Sequence, residues 1–427
     1  MSKRKLGFWA VWSMGVGGMV GGIFPVLGLA VQLTQQSAPI AFALAGIVAL
    51  ITTHSYVHLS IAYPCQGGTV TFLHRGFGFG VLSKSLNLIL WFSYTVMLSL
   101  YFAAFGSYSV TLFANVVQPF WQHSLASGAI LVTTGLNLLS TQRVGQTQRW
   151  MVGFKLAILL VFLGMGIGRI DIHNCFTSTT LLPPQSLIAG AMVIFLSYEG
   201  FELIANTAED VIDPLHTLPR AYYSAVLFTI LLYVGIAMVT VSVLPIDKIV
   251  AARDYALVKV AFPIMGSFGS MAIAIAALLS TLSASNATLY GAARFSLTII
   301  QSQEFGSLPG QALLTRPSPI GLLATSCVTL IMTNLVDLSR IATIGSAGFL
   351  LIFTAINLAN VRLSGNLNRQ HYWISLSGAG ICVSALVLLL EQTRQTDPLT
   401  LWLFVALVGF VVIFNIFYAW LTDRYIN

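Results

Sequence analysis

Long apolar segments without charged side chains constrain this sequence more than any other feature. Between residues 172 and 198 there is no Asp, Glu, Lys or Arg, and comparable segments recur along the chain. Of the 427 residues, 57% are hydrophobic and only 8% are charged, whereas a soluble domain carries roughly 25% charged residues. A helix needs about 20 apolar residues to cross the hydrocarbon core of a bilayer. The sequence therefore predicts an all-α integral membrane protein.

Twelve apolar segments are long enough to be interpreted as transmembrane helices. They cover approximately residues 8–32, 39–61, 81–113, 124–141, 148–168, 186–208, 220–244, 262–300, 319–336, 339–361, 371–390 and 399–421. With the N-terminus on the inner side, the inner segments hold 13 of the 20 Lys and Arg residues and the outer segments hold 6. Because cytoplasmic loops are enriched in basic residues, we expect a multi-pass protein of the cell (plasma) membrane with both termini in the cytoplasm.

Several other function classes find no support in the sequence. There is no Walker-type Gly-Lys-Ser/Thr loop, no His-Glu-x-x-His motif and no Gly-x-Ser-x-Gly motif, and these motifs carry nucleotide, metal and nucleophile chemistry. No basic run is longer than Lys3-Arg4-Lys5, and the four cysteines are widely spaced. We therefore expect a protein that is not an enzyme, with no cofactor, no nucleic-acid partner and no obligate protein partner.

Two of the predicted spans contain residues that disfavour a continuous helix. The first span has five glycines between Gly15 and Gly22, and each costs up to about 1 kcal/mol relative to Ala in a helix interior. The sixth span carries Glu199-Gly200-Phe201-Glu202. Close helix packing through small residues is the alternative for the first span, and a purely structural Glu pair is the alternative for the sixth. Paired interruptions in two halves of a chain indicate a transporter site, so spans 1 and 6 are predicted to be broken helices.

Three Asp, Glu, Lys or Arg residues fall deep inside the predicted spans, namely Lys155, Glu199 and Glu202. A charge at the bilayer centre costs about 3 kcal/mol on insertion scales and is therefore rarely without a function. For Lys155 there is an alternative, because a long lysine side chain can extend to the membrane surface.

Two histidines, His54 and His58, lie four residues apart and so share one face of the second predicted helix. We interpret them as packed or solvated side chains, with metal binding and a pH-sensitive gate as the alternatives. No metal site is assigned.

In their order and spacing, several motifs resemble those of the amino acid–polyamine–organocation transporters. These motifs occupy residues 15–24, 55–59, 63–69, 198–202, 208–221, 292–294 and 308–309, and extend over about the first ten spans. The resemblance implies a five-plus-five inverted repeat of the leucine-transporter type, in which residues 1–170 and 171–362 form the two repeats and residues 363–427 form two further helices. One departure is that Gly22 is followed directly by Ile23, so the glycine segment is one residue shorter than is usual in the family.

The resemblance also implies a binding site for an L-amino acid. The expected substrate-binding residues are Gly17, Gly18, Met19, Val20 and Gly21 on the first span, and Tyr198, Glu199, Gly200 and Phe201 on the sixth. Helix ends and free carbonyls at two breaks would bind the carboxylate and the amine of the substrate. Tyr198 or Phe201 would act as a lid. Trp91, Tyr94 and Tyr101 are interpreted as packing residues, with lining of the side-chain pocket as the alternative.

Some family members have a lysine on the fifth helix where sodium-coupled relatives bind an ion, and Lys155 aligns with it. Lys155, Ser280 and Ser283 are therefore assigned to proton coupling, with first-helix carbonyls and the serine hydroxyls, including that of Ser285, as partners of the ammonium group. Of the two acids, Glu202 is assigned a gating or proton role, and Glu199 contact with a cationic group of the substrate. The predicted function is secondary active transport of amino acids by proton-coupled symport. The alternatives are proton-independent exchange, transport of polyamines or other organic cations, and, as a different class, a receptor or channel subunit.

Overall fold

The structure, a computed structural model, describes residues 6–65, 67–113, 119–139, 144–171, 183–305, 319–364 and 369–426. Fifteen helical segments account for most of this part of the chain, and the eleventh contains a kink at Gly266, with φ 69° and ψ −165°, that joins two helices. The segments are α1 (Phe8–Met19), α2 (Ile23–Thr34), α3 (Ala38–Ala62), α4 (Gly68–Phe77), α5 (Val81–Phe113), α6 (Pro119–Leu139), α7 (Val144–Gly166), α8 (Pro184–Val193), α9 (Pro214–Val243), α10 (Ile246–Ala251), α11 (Ala256–Phe305), α12 (Pro319–Leu335), α13 (Leu338–Ser364), α14 (Arg369–Thr396) and α15 (Pro398–Ile426).

Nine segments of the described chain are long and apolar enough to cross a membrane. The first, Phe8–Ala62, contains α1 to α3 and covers the first two predicted spans. The other eight coincide with predicted spans 3, 5 to 8 and 10 to 12. The helices α6 and α12 lie at predicted spans 4 and 9 and are not among the nine. The all-α membrane architecture is thus confirmed, and the count of twelve spans stays a prediction.

The interrupted spans lie in the most buried part of the bundle. Most residues in the apolar windows of Phe8–Ala62 and Pro184–Asp210 are buried by other helices, as they are in α5 and α13. By contrast, α7, α11, α14 and α15 leave most of their apolar windows uncovered. An apolar surface of this kind is stable against lipid, since lipid tails are as apolar as the side chains. The outer helices therefore separate the two interruptions from the bilayer.

The first span is interrupted between α1 and α2 by a single 3₁₀ turn, Val20–Gly22. The backbone dihedral angles stay in the right-handed helical region, with φ −58° and ψ −18° at Val20 and φ −69° and ψ −22° at Gly22. The predicted unwound stretch is therefore a tighter helical turn.

The sixth span is interrupted more completely. After α8 a 3₁₀ segment covers Ile194–Tyr198, and a second one covers Phe201–Asp210. Between them Glu199 is extended, with φ −58° and ψ 144°, and Gly200 has φ 121° and ψ −22°. A side chain rarely tolerates the φ of Gly200, so glycine is the residue that permits this break. The prediction of a broken sixth helix is correct for this segment.

The start of the first span lies beside the end of the sixth. Leu6 donates a backbone hydrogen bond to Asp210 O at 3.0 Å and accepts one from Ile212 N at 2.9 Å. Since α1 begins at this end of the bundle and the sixth span ends there, the two interrupted spans run antiparallel. This arrangement places their interruptions at a similar depth.

Candidate functional site

The two interruptions meet backbone to backbone. A Cβ atom built on Gly18 would lie 3.0 Å from Gly200 Cα, and one built on Gly200 would lie 2.6 Å from the carbonyl carbon of Gly18. A Cβ on Gly22 would lie 2.5 Å from Ser197 O. Gly18, Gly22 and Gly200 are therefore explained by this contact, which leaves no room for a side chain. The structure thus brings together the two segments that the sequence assigned to substrate binding.

Glu202 accepts a hydrogen bond from the backbone at the break in the sixth span. Its Oε2 accepts a 2.8 Å hydrogen bond from Gly200 N, and its Oε1 accepts a 3.1 Å hydrogen bond from the Tyr94 hydroxyl. The break frees the backbone N–H of Gly200, and a buried N–H group without an acceptor is costly. Glu202 therefore stabilises the break by satisfying the buried N–H group of Gly200. Tyr94, which sequence reasoning treated mainly as a packing residue, contacts the site directly.

Glu199 differs from Glu202 in its hydrogen bonding. Its side chain is buried, and within the described part of the chain its Oε1 atom has no hydrogen-bond partner. An unsatisfied buried polar group costs about 1–3 kcal/mol. The site therefore contains one acceptor atom with capacity for a ligand or a proton.

Tyr233, on α9, connects the two interruptions. Its hydroxyl lies within hydrogen-bonding distance of two carbonyl oxygens, Met19 O on the first span and Ser197 O on the sixth. Sequence reasoning did not single out this residue. The sequence offered one indication of this contact, a tyrosine inside an apolar span. A buried tyrosine hydroxyl usually has a hydrogen-bond partner.

A second unpartnered polar atom lies beside the interruption of the first span. A Cβ on Gly21 would lie 3.4 Å from Ser280 Oγ and 3.4 Å from a ring carbon of Tyr101. The Tyr101 hydroxyl donates a 3.4 Å hydrogen bond to Gly18 O. The buried hydroxyls of Ser280 and Ser285 have no hydrogen-bond partner within the described residues. Ser280 therefore lies next to the glycine segment, and its hydroxyl has no hydrogen-bond partner within the described residues.

Lys155 is fully buried, and its ammonium group donates a 2.8 Å hydrogen bond to Gly17 O. This is the expected contact with a first-helix carbonyl, and it excludes an extended lysine that reaches the membrane surface. The expected contacts with the hydroxyls of Ser280 and Ser283 are not formed in the described part of the chain. Ser280 borders Gly21 instead, about one helical turn away from Gly17.

The two aromatic residues expected at the site point into neighbouring helices. The Tyr198 hydroxyl donates a 2.8 Å hydrogen bond to Phe42 O on α3. The ring of Phe201 packs against those of Tyr56 and Phe353, with centroids 5.5 Å and 5.3 Å away. Both side chains are buried. In this conformation they therefore pack against the bundle.

Two antiparallel interrupted helices that meet inside a multi-span bundle are typical of membrane transporters. The family comparison agrees: the chain matches the amino acid permease family model over residues 6–422 and belongs to that family. The relatives whose names state a function are transporters, so the expectation that the protein is not an enzyme is confirmed.

Three relatives illustrate the range of the family. The inner membrane transport protein YbaT of Escherichia coli is 33% identical over 372 residues, which is 86% of this chain and 85% of that protein. The methylthioribose transporter of Bacillus subtilis is 24% identical over 84% of this chain and 81% of its own length. Cationic amino acid transporter 7 of Arabidopsis thaliana is 24% identical over 59% of this chain and 47% of its own length. The chain is thus a multi-pass membrane transporter of amino acids or related substrates.

Proposed function

We propose that this protein is a secondary active transporter of L-amino acids, a proton-coupled symporter that works by alternating access in the plasma membrane. The observation that carries the proposal is the buried contact between Gly18 and Gly200 at two interrupted helices. Family membership supports transport, and the inner-membrane relative of Escherichia coli supports the location.

The proposed substrate site lies at residues 17–21 and 198–201. Glu199 Oε1 and Ser280 Oγ are the buried polar atoms there that have no partner in the described chain. Glu199 would accept a hydrogen bond from the α-amino group or from a cationic side chain. Backbone groups of Gly18 to Gly21 would bind the carboxylate, since polar backbone groups at an interrupted helix can bind a ligand. Tyr198 and Phe201 would act at the site after movement of the sixth span.

Lys155 is the proposed coupling residue. Its ammonium group lies 2.8 Å from Gly17 O, next to the contact between the interruptions. A charged ammonium binds this carbonyl, whereas a neutral amine binds it more weakly. Protonation would therefore favour the arrangement in which the first span is attached to α7, and loss of the proton would release it. Glu202, Ser280 and Ser283 complete the proposed set of coupling residues.

The proposed architecture has twelve spans with both termini in the cytoplasm. Residues 1–170 and 171–362 form the inverted repeats, and residues 363–427 form the last two helices. The antiparallel course of the two interrupted spans, in which Gly18 meets Gly200 and Gly22 meets Ser197, supports the repeat.

Substrates other than amino acids form the second candidate function. The methylthioribose transporter among the relatives is named for a substrate that is not an amino acid. Exchange without protons and transport of polyamines or other organic cations remain the alternative transport modes.

Counterflow in proteoliposomes tests the proposal. Vesicles preloaded with an unlabelled amino acid should accumulate the same amino acid in labelled form from outside. The accumulation can be compared among the twenty amino acids, common polyamines and methylthioribose. An inward proton gradient should increase the initial uptake of the preferred amino acid, and a protonophore should abolish this increase. Absence of counterflow for every amino acid would contradict amino acid transport. Counterflow that does not respond to the proton gradient would instead favour an exchanger.

A further inference from the structure

Three histidines form a cluster that is distinct from the candidate substrate site. His54 and His58 lie on α3, and His371 lies near the start of α14. One ligand nitrogen from each of the three rings lies within 4.8 Å of the other two. The sequence placed only His54 and His58 on a common face, because His371 is 317 residues away from His54 along the chain.

One pair of nitrogens in the cluster, which is hydrogen-bonded, has a separation close to that of two ligands in a metal site. His54 Nε2 and His371 Nδ1 are 3.2 Å apart. Two nitrogens bound at 2.0–2.1 Å to a tetrahedral zinc ion lie about 3.3 Å apart. The rings of His58 and His371 are also adjacent, with centroids 3.9 Å apart. Side-chain rotations that separate these two rings would direct the three nitrogens at one ion.

Tyr223 supplies the outer hydrogen bond that a metal-binding histidine needs. Its hydroxyl lies 2.9 Å from Nδ1 of His54. A proton on Nδ1 that is donated to this hydroxyl leaves Nε2 with its lone pair free for a metal. Such partners of the second ring nitrogen orient metal-binding histidines and increase their affinity for the ion.

The cluster is accessible to an ion. His58 and His371 are partly exposed, whereas His54 is buried with 9% of its surface accessible. Three imidazoles at a partly exposed position, near the end of α3 and the start of α14, supply three protein ligands and leave a fourth position open. Imidazole ligands suit Zn²⁺, Cu²⁺ and Ni²⁺, whereas Mg²⁺ and Ca²⁺ prefer oxygen.

We infer that His54, His58 and His371 form a binding site for a transition-metal ion of the Zn²⁺ class, with water as the fourth ligand. The ion joins α3 to α14 at a position separate from the two interruptions. The site does not depend on the proposed transport function, since its ligands and its binding can be measured without substrate.

Titration of the purified full-length protein with ZnCl₂ tests the inference. The experiment uses protein in detergent without a polyhistidine tag, and isothermal calorimetry gives stoichiometry and affinity. We expect one ion per chain. His58→Gln and His371→Gln should each weaken binding at least about tenfold, because even the loss of an outer partner costs 10–100-fold. Tyr223→Phe should weaken binding about tenfold for the same reason.

Two controls separate this site from other histidines and from misfolding. His216→Gln removes a surface histidine that contacts Asp213 at 2.9 Å, and it should leave the affinity for zinc unchanged. Thermal unfolding without metal shows whether each variant is folded. CoCl₂ should give the visible absorption of a tetrahedral Co²⁺ complex, and this signal should disappear in His58→Gln. Absence of zinc binding, or zinc binding that survives both His58→Gln and His371→Gln unchanged, would overturn the inference.

Discussion

Gly200 lies against Gly18 so closely that a Cβ on Gly200 would stand 2.6 Å from the carbonyl carbon of Gly18. The contact joins the interruption of the first span to that of the sixth, and it consists of backbone atoms alone. Backbone atoms cannot move aside as the end of a flexible side chain can. Each side chain added at this contact must therefore separate the two spans or distort one of them.

Gly200→Ala should abolish counterflow and lower the thermal stability of the protein. Alanine would overlap the backbone of Gly18 and Met19, and it would also have to adopt a φ of 121°. A rarely populated backbone conformation of this kind costs about 1–3 kcal/mol. Gly153→Ala is the matched control, because no atom lies within 4 Å of a Cβ at that position. Normal counterflow by Gly200→Ala would show that the two interruptions need not touch.

Tyr233→Phe should reduce transport more than Tyr108→Phe does. Both variants lose one tyrosine hydroxyl that contacts a first-span carbonyl, but Tyr233 contacts Met19 O and Ser197 O, whereas Tyr108 donates to Phe24 O at 3.1 Å. Each change should cost about 1–3 kcal/mol of folding free energy by leaving buried carbonyls unpaired. Initial uptake rates, compared at equal amounts of folded protein, give the measurement. Equal losses of transport in the two variants would contradict a special role for Tyr233.

The two buried carboxyl groups should respond differently to substitution. Glu202→Ala should destabilise the protein by about 1–3 kcal/mol, because Gly200 N loses its acceptor. Glu202→Gln should be much milder, since its amide oxygen can still accept from Gly200 N. Glu199→Gln should leave stability nearly unchanged and weaken substrate binding, because Glu199 Oε1 has no partner in the described chain to lose.

Thermal unfolding and binding of the preferred amino acid separate these outcomes. Stability loss in Glu199→Gln equal to that in Glu202→Ala would mean that both acids are structural. Substrate affinity that is unchanged in Glu199→Gln would remove this carboxylate from the proposed binding site.

The sequence was sufficient to predict the all-α membrane architecture and the interruption at Gly200. These features have strong local causes, namely uncharged segments and a glycine between two acids, so they are visible without an alignment. The contact of Lys155 with a first-helix carbonyl was also expected, but only through the family resemblance.

Contacts between distant helices were not predictable from local patterns. Nothing near Tyr233 indicates that its hydroxyl meets Met19 O and Ser197 O, and nothing near His371 indicates two further histidines on α3. The tight turn at Val20–Gly22 was also missed. Five nearby glycines predict a weak helix, but the dihedral angles at Val20 and Gly22 stay in the right-handed helical region.

Lys155→Ala should uncouple uptake from the proton gradient while the protein still binds its substrate. The ammonium group is buried and donates to Gly17 O, so its removal leaves the first span without this attachment to α7. Lys155→Met, which fills a similar volume without a charge, separates loss of charge from loss of packing. Initial uptake at a series of external pH values, with and without a pH gradient, gives the measurement, and Lys259→Ala is the control because that lysine is exposed. Uptake by Lys155→Met that keeps the full pH dependence of the wild type would show that another group carries the proton.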